Sequence, residues 1–164
     1  FRSEDLVEPV GVSLEAVGDR LVVAYTGQSR VSAGTNWLLL RRFVDGDPGT
    51  ARRLEGIASV AARLRSALEA ADFSAIGPLL DEEMAHRRGL AEGLETEEME
   101  RLVRLARAAG ARGAKACGAG GGGCLAFWVP PDARLAVERA LQAAGARVLP
   151  ARPEAVGSAV EVES

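Results

Sequence analysis

The residue types that could do chemistry are concentrated in one stretch. Lys115 leads into Gly118-Ala119-Gly120-Gly121-Gly122-Gly123, and Cys117 and Cys124 bracket the run. Each glycine gives up more backbone entropy on folding than any other residue, so such a run persists only where something requires it. One requirement is a loop whose backbone N–H groups converge on an anion, where side chains would obstruct a phosphate. The other reading is a flexible linker, but linkers are usually serine-rich and polar. This run is instead followed at once by the apolar segment Cys124-Leu125-Ala126-Phe127-Trp128-Val129. Gly118, Gly120 and Gly123 satisfy G-x-G-x-x-G, yet the dinucleotide fingerprint needs a helix directly afterwards, and here a strand pattern follows. The Walker pattern needs Lys and then Ser or Thr after its last glycine, and Cys124 and Leu125 stand there instead. Lys115 is the only lysine among 20 basic residues. It reads either as a phosphate partner or as the trace of a chain that prefers arginine.

Other candidates are weaker. Ser29 and Arg30 follow an apolar run and precede a helix start, where an arginine could meet a substrate phosphate bidentately; a solvated turn is the equal alternative. His86, next to Arg87 and Arg88, reads as an exposed helix end. Glu82, Glu83, Glu97, Glu98 and Glu100 read as charged helix surface, and Trp37 and Trp128 as core or interface residues. Cys117 reads as a small packing thiol that would be reactive only in an electropositive loop. The two cysteines fit neither zinc spacing nor a secreted disulfide framework, so a reducing cytoplasm is the expected compartment and no metal site is expected.

These groups need elements to position them. Val10, Val12, Leu14 and Ala16 alternate with Gly11, Ser13 and Glu15, which predicts a strand, and Gly18-Asp19 predicts a turn into a second strand at Leu21 to Tyr25, together a hairpin. Thr35 predicts the cap of a short helix carrying Trp37, Leu38 and Leu40. Leu54, Ile57, Ala58, Ala61, Leu64 and Leu68 fall on one helical stripe. A second central helix is predicted from Ser74 to Arg88, with Pro78 in its first turns. A third is capped by Thr96, with Met99, Leu102, Val103 and Ala106 on its buried side and Gly110 as its stop. Strand Cys124 to Val129, a helix opened by Pro130-Pro131-Asp132 and closed by Gly145, and a strand from Arg147 to Ala151 complete the pattern. The tail from Glu154 to Ser164 has little pattern. This order predicts an α+β fold with helices on one face of a mostly antiparallel sheet.

At 164 residues, 48% hydrophobic and 26% charged, the chain is ordinary globular material, expected to form a single domain with its core at about residues 10 to 150. A formal charge of -3 with dispersed acidic residues excludes a nucleic-acid footprint. Its longest apolar runs fall far short of the ~18 residues needed for a membrane span. The chain begins at Phe1 without signal-peptide character, which suggests a piece of something longer.

Gly113-Ala114-Lys115-Ala116-Cys117 and the glycine run to Cys124 closely resemble the third motif of the GHMP kinases, the galactose, homoserine, mevalonate and phosphomevalonate kinase superfamily. Leu80-Asp81-Glu82-Glu83-Met84, with Leu94-Glu95-Thr96 and Ala109-Gly110-Ala111, is similar to the helical stretch before that motif in mevalonate and heptose 7-phosphate kinases. Tyr25-Thr26-Gly27-Gln28-Ser29-Arg30-Val31-Ser32 resembles the Y-T-G-x-S-R-x-S segment of the D-glycero-D-manno-heptose 7-phosphate kinase branch. The chain departs from these branches at Cys117, where they carry Thr or Leu, and at Met84, where the heptose branch often has Trp.

The resemblance implies a ferredoxin-like C-terminal lobe that closes over ATP and a small-molecule substrate, with Lys115, Gly118, Ala119, Gly120, Gly121, Gly122 and Gly123 near the phosphates. The main phosphate loop P-x-x-x-G-L-G-S-S-A, the Mg2+ ligands and the base are implied in an N-terminal lobe of the same polypeptide, and this chain contains no such loop. No catalytic residue is therefore expected here, and the lobe alone is expected to be inactive, because positioning and charge neutralisation carry phosphoryl transfer. A sugar or sugar phosphate is the expected substrate, with mevalonate-type, galactose-type and non-catalytic anion-binding alternatives; an oligomer is compatible with the reading.

Overall fold

The computed structural model describes residues 8–28, 33–90, 93–118 and 120–155. Its elements are α1 (Leu14–Gly18), β1 (Leu21–Tyr25), α2 (Ala33–Val44), α3 (Pro48–Glu69), α4 (Phe73–Arg88), α5 (Glu97–Ala108), β2 (Gly113–Ala116), β3 (Cys124–Trp128), α6 (Arg134–Ala143) and β4 (Arg147–Leu149). The strands form one sheet in the order β2-β3-β1-β4, and every neighbouring pair is antiparallel. With helices between β1 and β2 and between β3 and β4, this is the ferredoxin-like α+β arrangement expected from the sequence.

The core lies on one face of the sheet. Val22, Ala24, Leu125 and Phe127 alternate inward and meet Met99, Leu102 and Ala106 of α5, Val137 and Leu141 of α6, and Met84 of α4. Phe127, Met99 and Leu102 are fully buried. Helix α5 starts where Thr96 predicts it: the hydroxyl accepts from the Met99 N–H at 3.2 Å, and Gly110 ends the turn at φ 114°. Helix α3 begins with the Asp47 carboxylate accepting from the Thr50 N–H at 2.8 Å, with Pro48 in the first turn.

The predicted first strand does not form: residues 10–13 are in neither helix nor strand, and Leu14 to Ala16 lie in a helix. Residues from Leu14 to Gly18 form α1, capped by the Ser13 hydroxyl, which accepts from the Ala16 N–H at 3.2 Å. The alternation of valines suggested a hairpin partner for β1, but β3 and β4 occupy both sides of β1 and leave no place for one. The α3 stripe is also less buried than its periodicity implies. Val60 is enclosed, whereas Leu54, Ile57, Leu64 and Leu68 are half-buried and Ala58 and Ala61 exposed, because α3 packs on α4 rather than on the sheet. Trp128 is buried, but Trp37 is 65% exposed. His86 is half-buried, its ring lying against Gly56 of α3, where a Cβ would come within 2.4 Å of it. Pro78 lies in the second turn of α4, within the first turns as predicted. Residues 156–164 of the expected tail lie outside the described residues.

Candidate functional site

The glycine run is the turn between β2 and β3. Gly118, Gly120, Gly121, Gly122 and Gly123 have φ of 71°, 79°, 74°, 121° and 80°, all in the left-handed region that L side chains rarely adopt. Its seat is equally demanding. A Cβ on Gly120 would lie 2.4 Å from the Leu94 carbonyl oxygen, which itself accepts from the Gly121 N–H at 2.7 Å. The Gly123 N–H donates to the Gln28 carbonyl at 2.9 Å, and the Gly123 carbonyl accepts from the Thr26 N–H at 2.9 Å. The turn is therefore a fixed structure held from two sides and not a linker.

Two of its N–H groups, those of Gly121 and Gly123, are thus spent inside the protein. Between them, the buried Gly122 N–H has no acceptor among the described residues. Gln28 brings the chain to the loop just before Ser29 and Arg30. Ser29, Arg30 and Ala119 lie outside the described residues.

Lys115 sits on β2 with Nζ 2.7 Å from Glu83 Oε1. Glu83, on α4, is only 5% exposed. Its carboxylate also accepts from Arg87 Nε at 3.0 and 3.2 Å, and from the Arg87 terminal nitrogen. Arg87 Nη1 in turn donates to the Gly118 carbonyl at 3.1 Å. Burial opposes ionisation of Glu83, but the hydrogen bonds from Arg87 and Lys115 outweigh it and hold the carboxyl below the usual glutamate range. Two cations then face one carboxylate, leaving a net positive charge beside the glycine turn. The Lys115 charge is thus anchored on Glu83, in a group whose own formal charge is positive.

Glu83 and Arg87 are the residues that pattern reasoning misplaced. Both were read as solvated helix surface, since nothing in α4 alone says that this side lies under β2. Four residues separate them, the spacing of facing ionic partners on a helix, and that was the available signal. The same side of α4 serves β2 directly: the Ala114 N–H donates to Asp81 Oδ1 at 3.1 Å and the Ala116 N–H to Met84 Sδ at 3.3 Å. Burial, with smaller help from Cys124, pushes the Cys117 thiol up, so it stays protonated and is no nucleophile at neutral pH. Among the described residues no three His, Cys, Asp or Glu side chains are grouped to hold a metal, and no helix is long and apolar enough to cross a membrane.

The model of the family "GHMP kinases C terminal" matches residues 64–147, just over half of the chain, and the chain belongs to that family. Among solved structures, L. major mevalonate kinase in complex with R-mevalonate is similar at 26% identity and TM-score 0.67, covering 75% of this chain and 37% of that one. Streptococcus pneumoniae phosphomevalonate kinase in complex with phosphomevalonate and AMPPNP is 20% identical, with TM-score 0.63 and coverage of 79% and 37%. A D-glycero-D-manno-heptose 1-phosphate kinase from B. thetaiotaomicron is 20% identical, with TM-score 0.57 and coverage of 88% and 37%. The last two, at their identity, speak for the fold alone. The chain thus spans well under half the length of these structures. No curated protein matches it.

Proposed function

We infer that this chain is the C-terminal lobe of an ATP-dependent kinase that phosphorylates a hydroxyl of a sugar or sugar phosphate in the cytoplasm. The observation that carries this reading is the glycine turn, five of whose residues are held at positive φ next to the net positive charge of Lys115, Glu83 and Arg87. In this reading residues 1–164 are one domain, and an N-terminal lobe of the same polypeptide supplies the main phosphate loop. Bound ATP brings the transferable phosphoryl group, and Mg2+ held by that lobe neutralises its charge. On this chain the glycines from Gly118 to Gly123 would lie near the phosphates, Arg87 holds the Gly118 carbonyl and so the start of the turn, and Ser29 and Arg30 are the candidates for binding the substrate. Charge placed beforehand beside a phosphoryl group is the form of assistance such transfer uses most.

The test is ATP turnover by the product of the complete reading frame, with Mg2+ and a panel of heptose phosphates, mevalonate, phosphomevalonate and galactose. ADP release with a sugar phosphate is the expected result, strongly reduced by Gly120→Ala. Turnover with mevalonate alone would favour the second reading, which the 26% identity to a mevalonate kinase supports. A folded, intact protein that turns over none of these would leave a non-catalytic anion-binding lobe.

A further inference from the structure

At the other end of the sheet from the glycine turn lies a cleft of about 380 Å³. That falls within the range of about 300–1,000 Å³ usual for small-molecule sites. Strand β3 runs from Cys124 beside the turn to Trp128 beside the cleft, a rise of about 13 Å at the usual spacing per residue, so the two places are distinct. Apolar walls come from Phe73, Trp128, Pro78, Pro130 and Pro131. The walls are also fixed: the Trp128 indole N–H donates to the Phe73 carbonyl at 2.9 Å, and the two rings lie with centroids 6.1 Å apart.

The polar part of the cleft has one sign. Arg20 and Arg112 line it, and among the described residues no Asp or Glu does. Arg20 lies 4.4 Å above the Phe73 ring and donates to the Ala16 carbonyl at 2.9 Å, but it forms no ion pair with a described residue. Arg112 has no side-chain partner among the described residues. Some arginines elsewhere are paired, as Arg63 is with Glu82, Arg88 with Glu95 and Arg107 with Asp81, whereas others such as Arg52 bond only a backbone carbonyl. Asp72, the carboxylate nearest in sequence to Phe73, is committed to the α4 cap through the Ser74 N–H and hydroxyl. Two guanidiniums without an ion-pair partner among the described residues, lining an aromatic and proline-walled cleft, are complementary to an anion carried on an apolar body.

We propose that this cleft is a second ligand site, which takes a small molecule joining a flat apolar group to a carboxylate or phosphate. The ring lies against Trp128 and the prolines, and the anion meets Arg20 and Arg112. The site stands independently of the kinase reading, since none of its residues belongs to the glycine turn or the Glu83 group.

Trp128 is a built-in reporter, because Trp37 is the only other tryptophan and is exposed. The Trp37→Phe chain is titrated with phenyl phosphate, benzoate, benzyl alcohol and inorganic phosphate while Trp128 fluorescence is followed. A saturable response to phenyl phosphate or benzoate is expected, and which one binds tighter identifies the preferred anion. Affinity should fall about tenfold in Arg112→Gln, the loss expected for one charge-assisted contact, and recover in part in Arg112→Lys. Arg112 is exposed, so circular dichroism of these variants should match the parent. No saturable response to either aromatic anion, an equal response to benzyl alcohol, or unchanged affinity in a folded Arg112→Gln chain would each overturn the proposal.

Discussion

Gly113 of β2 approaches Gly77 of α4 so closely that a Cβ on Gly113 would stand 2.4 Å from the Gly77 carbonyl oxygen and 2.5 Å from its Cα. A Cβ on Gly77 would meet the Arg112 carbonyl oxygen at 2.4 Å. Backbone therefore packs on backbone, and this contact sets the distance at which Asp81, Glu83 and Met84 reach β2. Backbone cannot swing aside as a side chain can, so Gly113→Ala should cost about 3 kcal/mol, the upper end of ordinary overpacking. Urea denaturation measures it. A loss under about 1 kcal/mol would mean that the two elements can move apart at little cost.

Gly120 and Gly123 share nearly the same φ, 79° and 80°, but differ in their surroundings. Nothing lies within 4 Å of a Cβ on Gly123, whereas one on Gly120 collides with the Leu94 carbonyl. Gly123→Ala should therefore cost only the left-handed strain, about 1 kcal/mol, and Gly120→Ala about 2 kcal/mol more. Equal losses in thermal or urea unfolding would contradict the seating of the turn on Leu94.

Removing the Glu83 carboxylate leaves Lys115 and Arg87 facing each other. Broken buried pairs usually cost 3–5 kcal/mol, but Lys115 and Arg87 are 29% and 20% exposed, so about 2 kcal/mol is expected for Glu83→Gln. Because the folded-state pKa of Glu83 lies below its ordinary value of 4.5, the carboxylate's contribution is present above that value and is lost as pH falls through the folded pKa. The stability gap between wild type and Glu83→Gln should accordingly be full at pH 7 and shrink below 4.5. A gap that stays constant down to pH 3 would rule out the ionised Glu83 as its source.

Helix α2 carries Trp37, Leu40, Phe43 and Val44, exposed by 65%, 53%, 50% and 74%. Positions 37, 40, 43 and 44 fall on one side of a helix, so they form a continuous apolar stripe. The chain should bind a hydrophobic dye such as anilinonaphthalene sulfonate, and Leu40→Ser with Phe43→Ser should abolish most of that signal with a stability change of about 0.5 kcal/mol or less. Undiminished dye binding in the double variant would locate the apolar surface elsewhere.

Most of the frame was legible before any coordinates, for local reasons. Thr96, Gly110 and Gly145 mark helix ends through their own backbone chemistry, and the β3 run declares itself by composition between a glycine run and two prolines. Residues Val10 to Ala16 misled because alternation reports a period and not a vacancy: whether a strand can form there depends on what already flanks β1, and β3 lies about a hundred residues on. Glu83 was illegible for a related reason. Its burial is created by β2, thirty residues away, through the Gly77 and Gly113 contact, and a carboxylate under a strand has the same letter as one in solvent. The glycine run could be recognised because its cost is paid locally, residue by residue; its seat on Leu94 and Gln28 could not.

The Asp81 and Met84 bonds to Ala114 and Ala116 have a bearing on how copies of this molecule can meet. They occupy the outward N–H groups of β2, one of the two margins of the sheet. The opposite margin is β4, only three residues long. Among the described residues neither side offers a long row of open donors and acceptors to an incoming strand, which guards the sheet against growth by strand addition. Contact with a companion through side-chain surfaces is favoured instead, and such surfaces can be tuned one residue at a time without touching the strands that carry the glycine turn.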